Sequence, residues 1–337
     1  MLSSTTLFTI LSALALTSVQ ATPTCGKDSL DYLANKAGKR YLGTAIQSNQ
    51  LADPKYVQIL ESQFDAITPE NEMKWEVIQP TEGNFNFTGT DATPSYVTNI
   101  TDPTRLKQVL KTHIEVVLGR YKNDLEYFDI VNEPLYENGT YKANVWYNVL
   151  GESYIETALR YAHEVAPKMK LCINEYNIES VNPKSLGMAK LAKGLLAKGA
   201  PLHCIGLESH FIGGQTPRDI PAAMNLFSDQ GLEVPMTELD IRIPVIGNDQ
   251  PANATVAKAQ DDDYYLSVSA CLGNDLCPGV SIWQFADPTS WIPGVFPGTG
   301  SALIYDANYQ PKSTYYAVQQ ALKDGKNSGS KFHGIKL

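Results

Sequence analysis

Seven short apolar runs, each closing on a polar or charged cluster, recur from residue 41 onward and alternate with longer amphipathic stretches. They are YLGTAI (41–46), FDAITPE (64–70), YFDIVNE (127–133), KLCINEY (170–176), HCIGLESH (203–210), VPMTELD (234–240) and GVSIWQF (279–285). Between them, segments such as LKQVLKTHIEVVLGRYK and SLGMAKLAKGLLAKG repeat apolar residues at helical spacing. Strands buried on both faces and separated by helices belong to a parallel sheet. When such a sheet curls into a (β/α) barrel, the C-terminal strand ends converge on one face, and that face carries the chemistry. The pattern predicts a single-domain α/β protein of TIM-barrel type. A closed barrel of this kind takes eight strands. Residues 82–103, rich in Gly, Thr, Asn, Asp and Pro, hold none, and the count stops at seven.

The chain opens on MLSSTTLFTILSALALTSVQA, which has no charged side chain and ends on the small-x-small pattern of a signal-peptidase site. Residues 1–21 therefore read as a signal peptide, 22–337 as one domain, and the protein as secreted. The polar, glycine-bearing tail 323–337 is expected to fray. Four sequons, at Asn86, Asn99, Asn138 and Asn253, mark exposed surface that glycans could occupy. A net charge of −9 argues against nucleic acid or anionic membrane as partners, and no window is long enough to span a bilayer. A neutral polysaccharide is compatible with that surface, and a monomer is expected. Of five cysteines, Cys271 and Cys277 enclose a short loop and form the obvious pair. Cys172 and Cys204 lie in strand segments where a buried thiol and a bridge are equal alternatives. Cys25 has no evident partner. Metal-ligand spacings are absent, so neither metal nor cofactor is expected.

Two strands deliver a glutamate to their C-terminal ends, Glu133 in DIVNEP and Glu238 in MTELD. Facing carboxylates of this kind are the minimal equipment for cleaving a glycosidic bond. Glu133, partly shielded at a strand end, would have a raised pKa and serve as general acid. Capping of the following helix is its bland alternative. Strand period two places Glu238 and Asp240 on one side, where Asp240 could hold a histidine and leave Glu238 ionised. A structural ion-pair network would explain the same pattern. Glu208 and His210 share a face by the same periodicity, which makes His210 the candidate held by Asp240. Glu70, Asn71 and Lys74, after the second strand, could read sugar hydroxyls, as could the amide of Asn132; a helix start accounts equally for the first three. Trp283 and Trp291, at and after the last strand, offer faces for sugar rings or plain packing.

In their order, TPENEMKW, DIVNEP, INEYN, CIGLESH, TELDI and SIWQF…SW resemble glycoside hydrolase family 10, whose best-known members are secreted endo-1,4-β-xylanases. The similarity covers essentially the whole mature chain. It implies a (β/α)8 barrel and retaining hydrolysis of xylan without a cofactor. Glu133 would be the acid/base and Glu238 the nucleophile, with carboxyl groups about 5–5.5 Å apart. By the same resemblance Asn71 and Lys74 would contact glycone-side sugars and Asn132 the 2-hydroxyl, while Trp283 and Trp291 would wall the subsites. His210, held by Asp240, would complete the hydrogen bonds of the nucleophile. The Cys271–Cys277 bridge also matches the family.

Three departures stand out. Glu208 replaces the usual glutamine, adding a charge that could raise the pKa of the nucleophile. Glu175 replaces an aspartate. Between the second and fourth family strands a helix and the third strand, some 20–30 residues (about one helix and one strand at mean lengths), are missing, and with them a histidine and a tryptophan of the site. That loss would leave an open sheet edge or force the flanking strands to meet. Two rival readings follow: a related glycosidase acting on another β-linked sugar, and an impaired secreted protein that binds polysaccharide without cleaving it.

Overall fold

The computed structural model describes residues 26–86, 95–247 and 249–327. The expected leader, Cys25 and the last ten residues lie outside them. All seven predicted strands are present as one parallel sheet: β1 (Tyr41–Ile46), β2 (Ala66–Pro69), β3 (Tyr127–Asn132), β4 (Lys170–Glu175), β5 (Cys204–Leu207), β6 (Met236–Ile246) and β7 (Gly279–Ile282). Their order, β2-β1-β7-β6-β5-β4-β3, is that of a (β/α) barrel opened between β2 and β3. Among the described residues no strand fills that gap. The fold is an incomplete (β/α)8 barrel, and of the two outcomes foreseen for the missing strand, the open edge is the one realised.

Helices coat the sheet where the sequence places apolar residues at helical spacing. The helix Pro103–Tyr121 starts on Asp102, whose carboxylate accepts from the Thr104 amide at 3.0 Å, with Pro103 preset at its first position. It buries Leu106, Val109, Leu110, His113, Ile114, Val117 and Leu118, a single i, i+3, i+4 stripe. Helix Pro183–Ala197 begins with a reciprocal cap between Asn182 and Ser185. The expected fraying does not begin at residue 323: the last helix runs to Asp324, and Lys323 pairs with Asp28 at 3.0 Å.

The chain crosses the deletion through an aromatic cluster. Trp75 stacks on His113 with ring centres 3.6 Å apart, donates to the Tyr96 hydroxyl at 3.1 Å, and leans on Trp146. Burial pushes His113 down to about 3, so its neutral ring sits beside Gln79 at 2.8 Å. At the N-terminal face the open sheet is clasped. Arg40, just before β1, reaches Glu126 before β3 at 3.0 Å and Glu233 at 2.6 Å, while Lys170 and Tyr127 also bond Glu233. Beyond the opposite ends of β2 and β3 no ion pair among the described residues takes that place, only the contact of Trp75 with Trp146, and the lumen opens into a cavity of about 1960 Å³.

Both disulfides fit this framework. Cys271–Cys277 closes the short loop before β7, and Cys172–Cys204 joins β4 to β5 at directly paired register positions. The second pairing resolves the alternative left open by the sequence. Edge strands leave one row of amides unbonded within the sheet. Hydrogen exchange followed by mass spectrometry is therefore expected to be faster in peptides covering 66–69 and 127–132 than in those covering 204–207 and 279–282. Equal protection would mean that the gap is filled in solution.

Candidate active site

The C-terminal rim is built by continuing the backbone ladder past the strand ends. Glu133 N–H donates to Asn174 O at 2.9 Å, Glu208 N–H to Glu175 O at 3.2 Å, and Glu238 N–H to Glu208 O at 3.0 Å. Four glutamates from four adjacent strands thus stand in one row. The residues just beyond the strands carry strain: Glu133 (φ 49°), Ser209 (φ 66°) and Gln284 (φ 70°) are left-handed without being glycine.

Glu238 receives two donors. Asn174 Nδ2 reaches its Oε1 at 2.8 Å, and His210 Nε2 lies 3.3 Å from its Oε2. Behind His210, Nδ1 stands 3.0 Å from Asp240 Oδ2, which also accepts from Trp291 Nε1 at 2.7 Å. Burial alone would lower the His210 pKa, but Asp240 and Glu238 outweigh it and hold the ring well above its ordinary value. His210 is thus an imidazolium clamped between two carboxylates. The residues expected to share a face do meet, though not by simple alternation. The strand breaks at Ser209, whose amide is taken by the buried Glu179 carboxylate at 2.5 Å, and His210–Ile212 form a separate short strand against Asp240–Arg242.

Glu133 sits otherwise than the sequence suggested. Its side chain is 41 % exposed and bonded to Lys142 Nζ at 2.9 Å, so the expected shielding from water is not met. Lys142, overlooked in the sequence, arrives through a hairpin: Lys142 N–H donates to Pro134 O and Tyr136 N–H to Thr140 O, both at 2.7 Å. Its tip is Asn138-Gly139, an Asn-Gly dipeptide that signals a tight turn. Gly139 is obligatory there, since a Cβ would come within 2.3 Å of Pro183 O. The base of the hairpin is pinned by Glu175, which accepts from the Leu135 amide at 3.0 Å and pairs with the fully buried Lys184 at 2.8 Å. Lys184 also lies 3.2 Å from the centre of the Tyr176 ring.

Asn174, likewise missed, is the hub. Its Nδ2 also reaches Asn132 Oδ1 at 3.0 Å and Glu208 Oε1 at 3.3 Å, and its Oδ1 accepts from Thr237 Oγ1 at 2.7 Å. Gly206 leaves the room, because a Cβ there would lie 2.3 Å from Asn174 Oδ1. A buried asparagine in the apolar run KLCINE was the available signal. Glu208 is 3 % exposed, and its carboxyl is driven up to about 10 by burial and by the Glu238 charge. The crowding foreseen at the nucleophile is thus expressed at Glu208 itself. Ligand atoms of Glu208, His210 and Glu238 come within 4.8 Å of one another, close enough for a cation, yet the imidazolium already supplies positive charge.

The remaining candidates divide. Lys74, Asn132, Trp283 and Trp291 line the cavity. Asn71 accepts from Lys74 Nζ at 2.7 Å and orients it. Glu70 is buried, and its Oε2 accepts from the amides of Gln284 and of Gln47, the latter at 3.1 Å. Of the sequon asparagines, Asn99, Asn138 and Asn253 are exposed and Asn86 is half-buried.

An opened (β/α) barrel with carboxylates gathered at its C-terminal rim defines the class, a barrel glycosidase. Comparison with known proteins carries this further. The sequence model described as "Glycosyl hydrolase family 10" matches residues 29–97 and 90–321. An endo-1,4-beta-xylanase of Naganishia albida is 63 % identical over the full length of both chains. That alignment takes 377 positions against the 337 residues here, so 40 have no counterpart in this chain. Endo-1,4-beta-xylanase A of Phanerodontia chrysosporium is 35 % identical, covering 86 % of this chain and 76 % of that one. Native xylanase 10B from Thermotoga maritima superposes with a TM-score of 0.83 at 32 % identity, over 90 % of this chain and 100 % of its own. The chain belongs to glycosyl hydrolase family 10. The family match falls into two pieces that overlap at residues 90–97, within the segment between β2 and β3.

Removing Lys184 would leave the fully buried Glu175 carboxylate without its buried cation and with no access to water. Lys184→Met is expected to lower unfolding stability by about 3–5 kcal/mol, measured by urea denaturation. A loss below 1 kcal/mol would show that the pair does not anchor the hairpin.

Proposed function

We propose that the protein is a secreted enzyme hydrolysing internal β-1,4-xylosidic bonds of xylan with retention of configuration. Glu238 attacks the anomeric carbon while Glu133 protonates the leaving oxygen; Glu133 then deprotonates the water that releases the glycosyl-enzyme. The observation that carries this reading is the Asn174 amide spanning Asn132 and Glu238. It couples the strand bearing the acid to the one bearing the nucleophile, while the Asp240–His210 pair holds Glu238 from behind. Family membership and the xylanase relatives set the expected substrate class.

In this reading the His210 imidazolium holds and aims the Glu238 carboxylate. Lys142 holds Glu133 in the resting site and must yield its place as the leaving oxygen arrives. Lys74, oriented by Asn71, and the Asn132 amide contact sugar hydroxyls, while Trp283 and Trp291 supply stacking faces. The Met1–Ala21 leader directs export. Two disulfides suit an oxidising compartment, and no described helix is long and apolar enough to cross a membrane. The exposed sequons would carry glycans, the enzyme would act as a monomer, and no cofactor enters the mechanism.

A second reading, polysaccharide binding without turnover, is favoured by the open wall beside Glu133. Incubation with xylan separates the two. Proton NMR is expected to show the β-anomer as first product, and Glu238→Ala to abolish release of reducing sugar. Binding to insoluble xylan with no release by the parent protein would select the second reading. A panel of other β-linked polysaccharides and aryl glycosides tests the sugar. Glu133→Gln is expected to cost about 10²–10⁴-fold on xylan, and far less on aryl glycosides whose leaving group needs no proton.

A further inference from the structure

Two hydrogen-bond donors at the rim are each shared by two carboxyl groups. Asn174 Nδ2 is 2.8 Å from Glu238 and 3.3 Å from Glu208; His210 Nε2 is 3.3 Å from Glu238 and 3.8 Å from Glu208. Glu238 is nearer by half an ångström in both cases. The Asn174 amide has two hydrogens, and Asn132 Oδ1 competes for them at 3.0 Å. Glu208 thus comes last in line for both donors. It is 3 % exposed, and no Lys or Arg among the described residues lies within ion-pair distance of it. A buried carboxylate with only long, shared donors and no full counter-charge is far too costly to keep, and it takes up a proton instead.

We propose that Glu208 is a positioning residue that holds a proton through the working cycle. While neutral, it leaves Asn174 and His210 to Glu238; once ionised, it competes for both and repels the nucleophile. This inference rests on the retaining reading above and deepens it. The uncharged carboxyl takes the place of the glutamine that the family resemblance sets at this position, and only the carboxyl can ionise.

The groups facing Glu208 agree on the direction. Burial raises its pKa most, followed by the charge of Glu238 from β6, while Glu133 from β3 and Glu179 from the turn after β4 add to the effect. His210 opposes them, as does the long hydrogen bond from Asn174, and the histidine's charge is already divided between Glu238 and Asp240. For folding, the native state keeps this proton after the unfolded chain has lost it. Stability conferred by Glu208 is therefore full below the ordinary carboxyl value and is lost as pH rises from there toward about 10.

The test compares the parent with Glu208→Gln and Glu208→Asp. An aryl xyloside that needs no acid removes Glu133 from the alkaline limb of kcat/KM. In the parent that limb should fall about tenfold per pH unit once Glu208 ionises. Glu208→Gln should move the limb to higher pH, and Glu208→Asp should restore a titrating one. Independently of turnover, infrared difference spectra at neutral pH should show one protonated carboxyl band fewer in Glu208→Gln than in the parent. Unfolding stability of Glu208→Gln should also fall less between acid and alkaline pH. An unchanged carboxyl band overturns the proposal, as does an alkaline limb that Glu208→Gln does not move. If no glycoside is hydrolysed but the band is lost, the proton on Glu208 stands and the enzymatic reading falls.

Discussion

Carboxylate crowding at one rim is the constraint on which the rest of this structure depends. The backbones of Glu133, Glu175, Glu208 and Glu238 stand side by side because the parallel ladder continues past the strand ends; Glu133, Glu208 and Glu238 line the cavity and Glu175 turns to Lys184, while Asp240 lies behind His210 and Glu179 against Ser209. No single device could neutralise so many acids, and each has its own. Lys142 takes Glu133, buried Lys184 takes Glu175, and the His210 imidazolium serves Glu238 and Asp240 together. Glu179 accepts the strained Ser209 amide, and Glu208 is left to a proton. The left-handed turns at Glu133 and Ser209 follow from the same need, since they aim the side chains at these separate partners.

The distribution of partners also separates chemical roles. Two acids close together do useful work only when their surroundings push their protonation apart. Glu238 sits among donors in the middle of the sheet, with strands bonded on both sides. Glu133 sits on the edge strand β3, half open to water. The asymmetry between these two glutamates, which the proposed mechanism uses as acid and nucleophile, is thus present in the topology before any sugar arrives.

Much of this was legible in the sequence, and the exceptions have physical causes. Strand positions followed from apolar runs bounded by polar clusters, and the seven-strand count anticipated the gap between Ala66–Pro69 and Tyr127–Asn132. The Cys172–Cys204 bridge was not legible, because it depends on the register of two strands. Periodicity alone placed Glu208 and His210 together, but for an incomplete reason: the strand breaks at Ser209, held by a glutamate thirty positions away. Lys142 escaped notice because a hairpin brings it back over nine residues, although Asn138-Gly139 marked the turn. The partners of Glu70 were not legible either, because only the fold brings Gln47 and Gln284 beside it.

The Arg40 clasp at the N-terminal face has a mechanical meaning. A closed barrel is a hoop, in which a push on any strand is spread around the circumference. This sheet is a strip, held at one end by the ion pairs of Arg40, Glu126 and Glu233 and, beyond the other, by the contact of Trp75 with Trp146, much like a pair of tongs. Its two arms end in β2 and β3, and Glu133 rides on the tip of one arm while Glu238 sits near the pivot. Any splaying of the arm is therefore multiplied into the separation of the two carboxylates. The Cys172–Cys204 bridge lies in the two strands between them, and works as a splint along that arm.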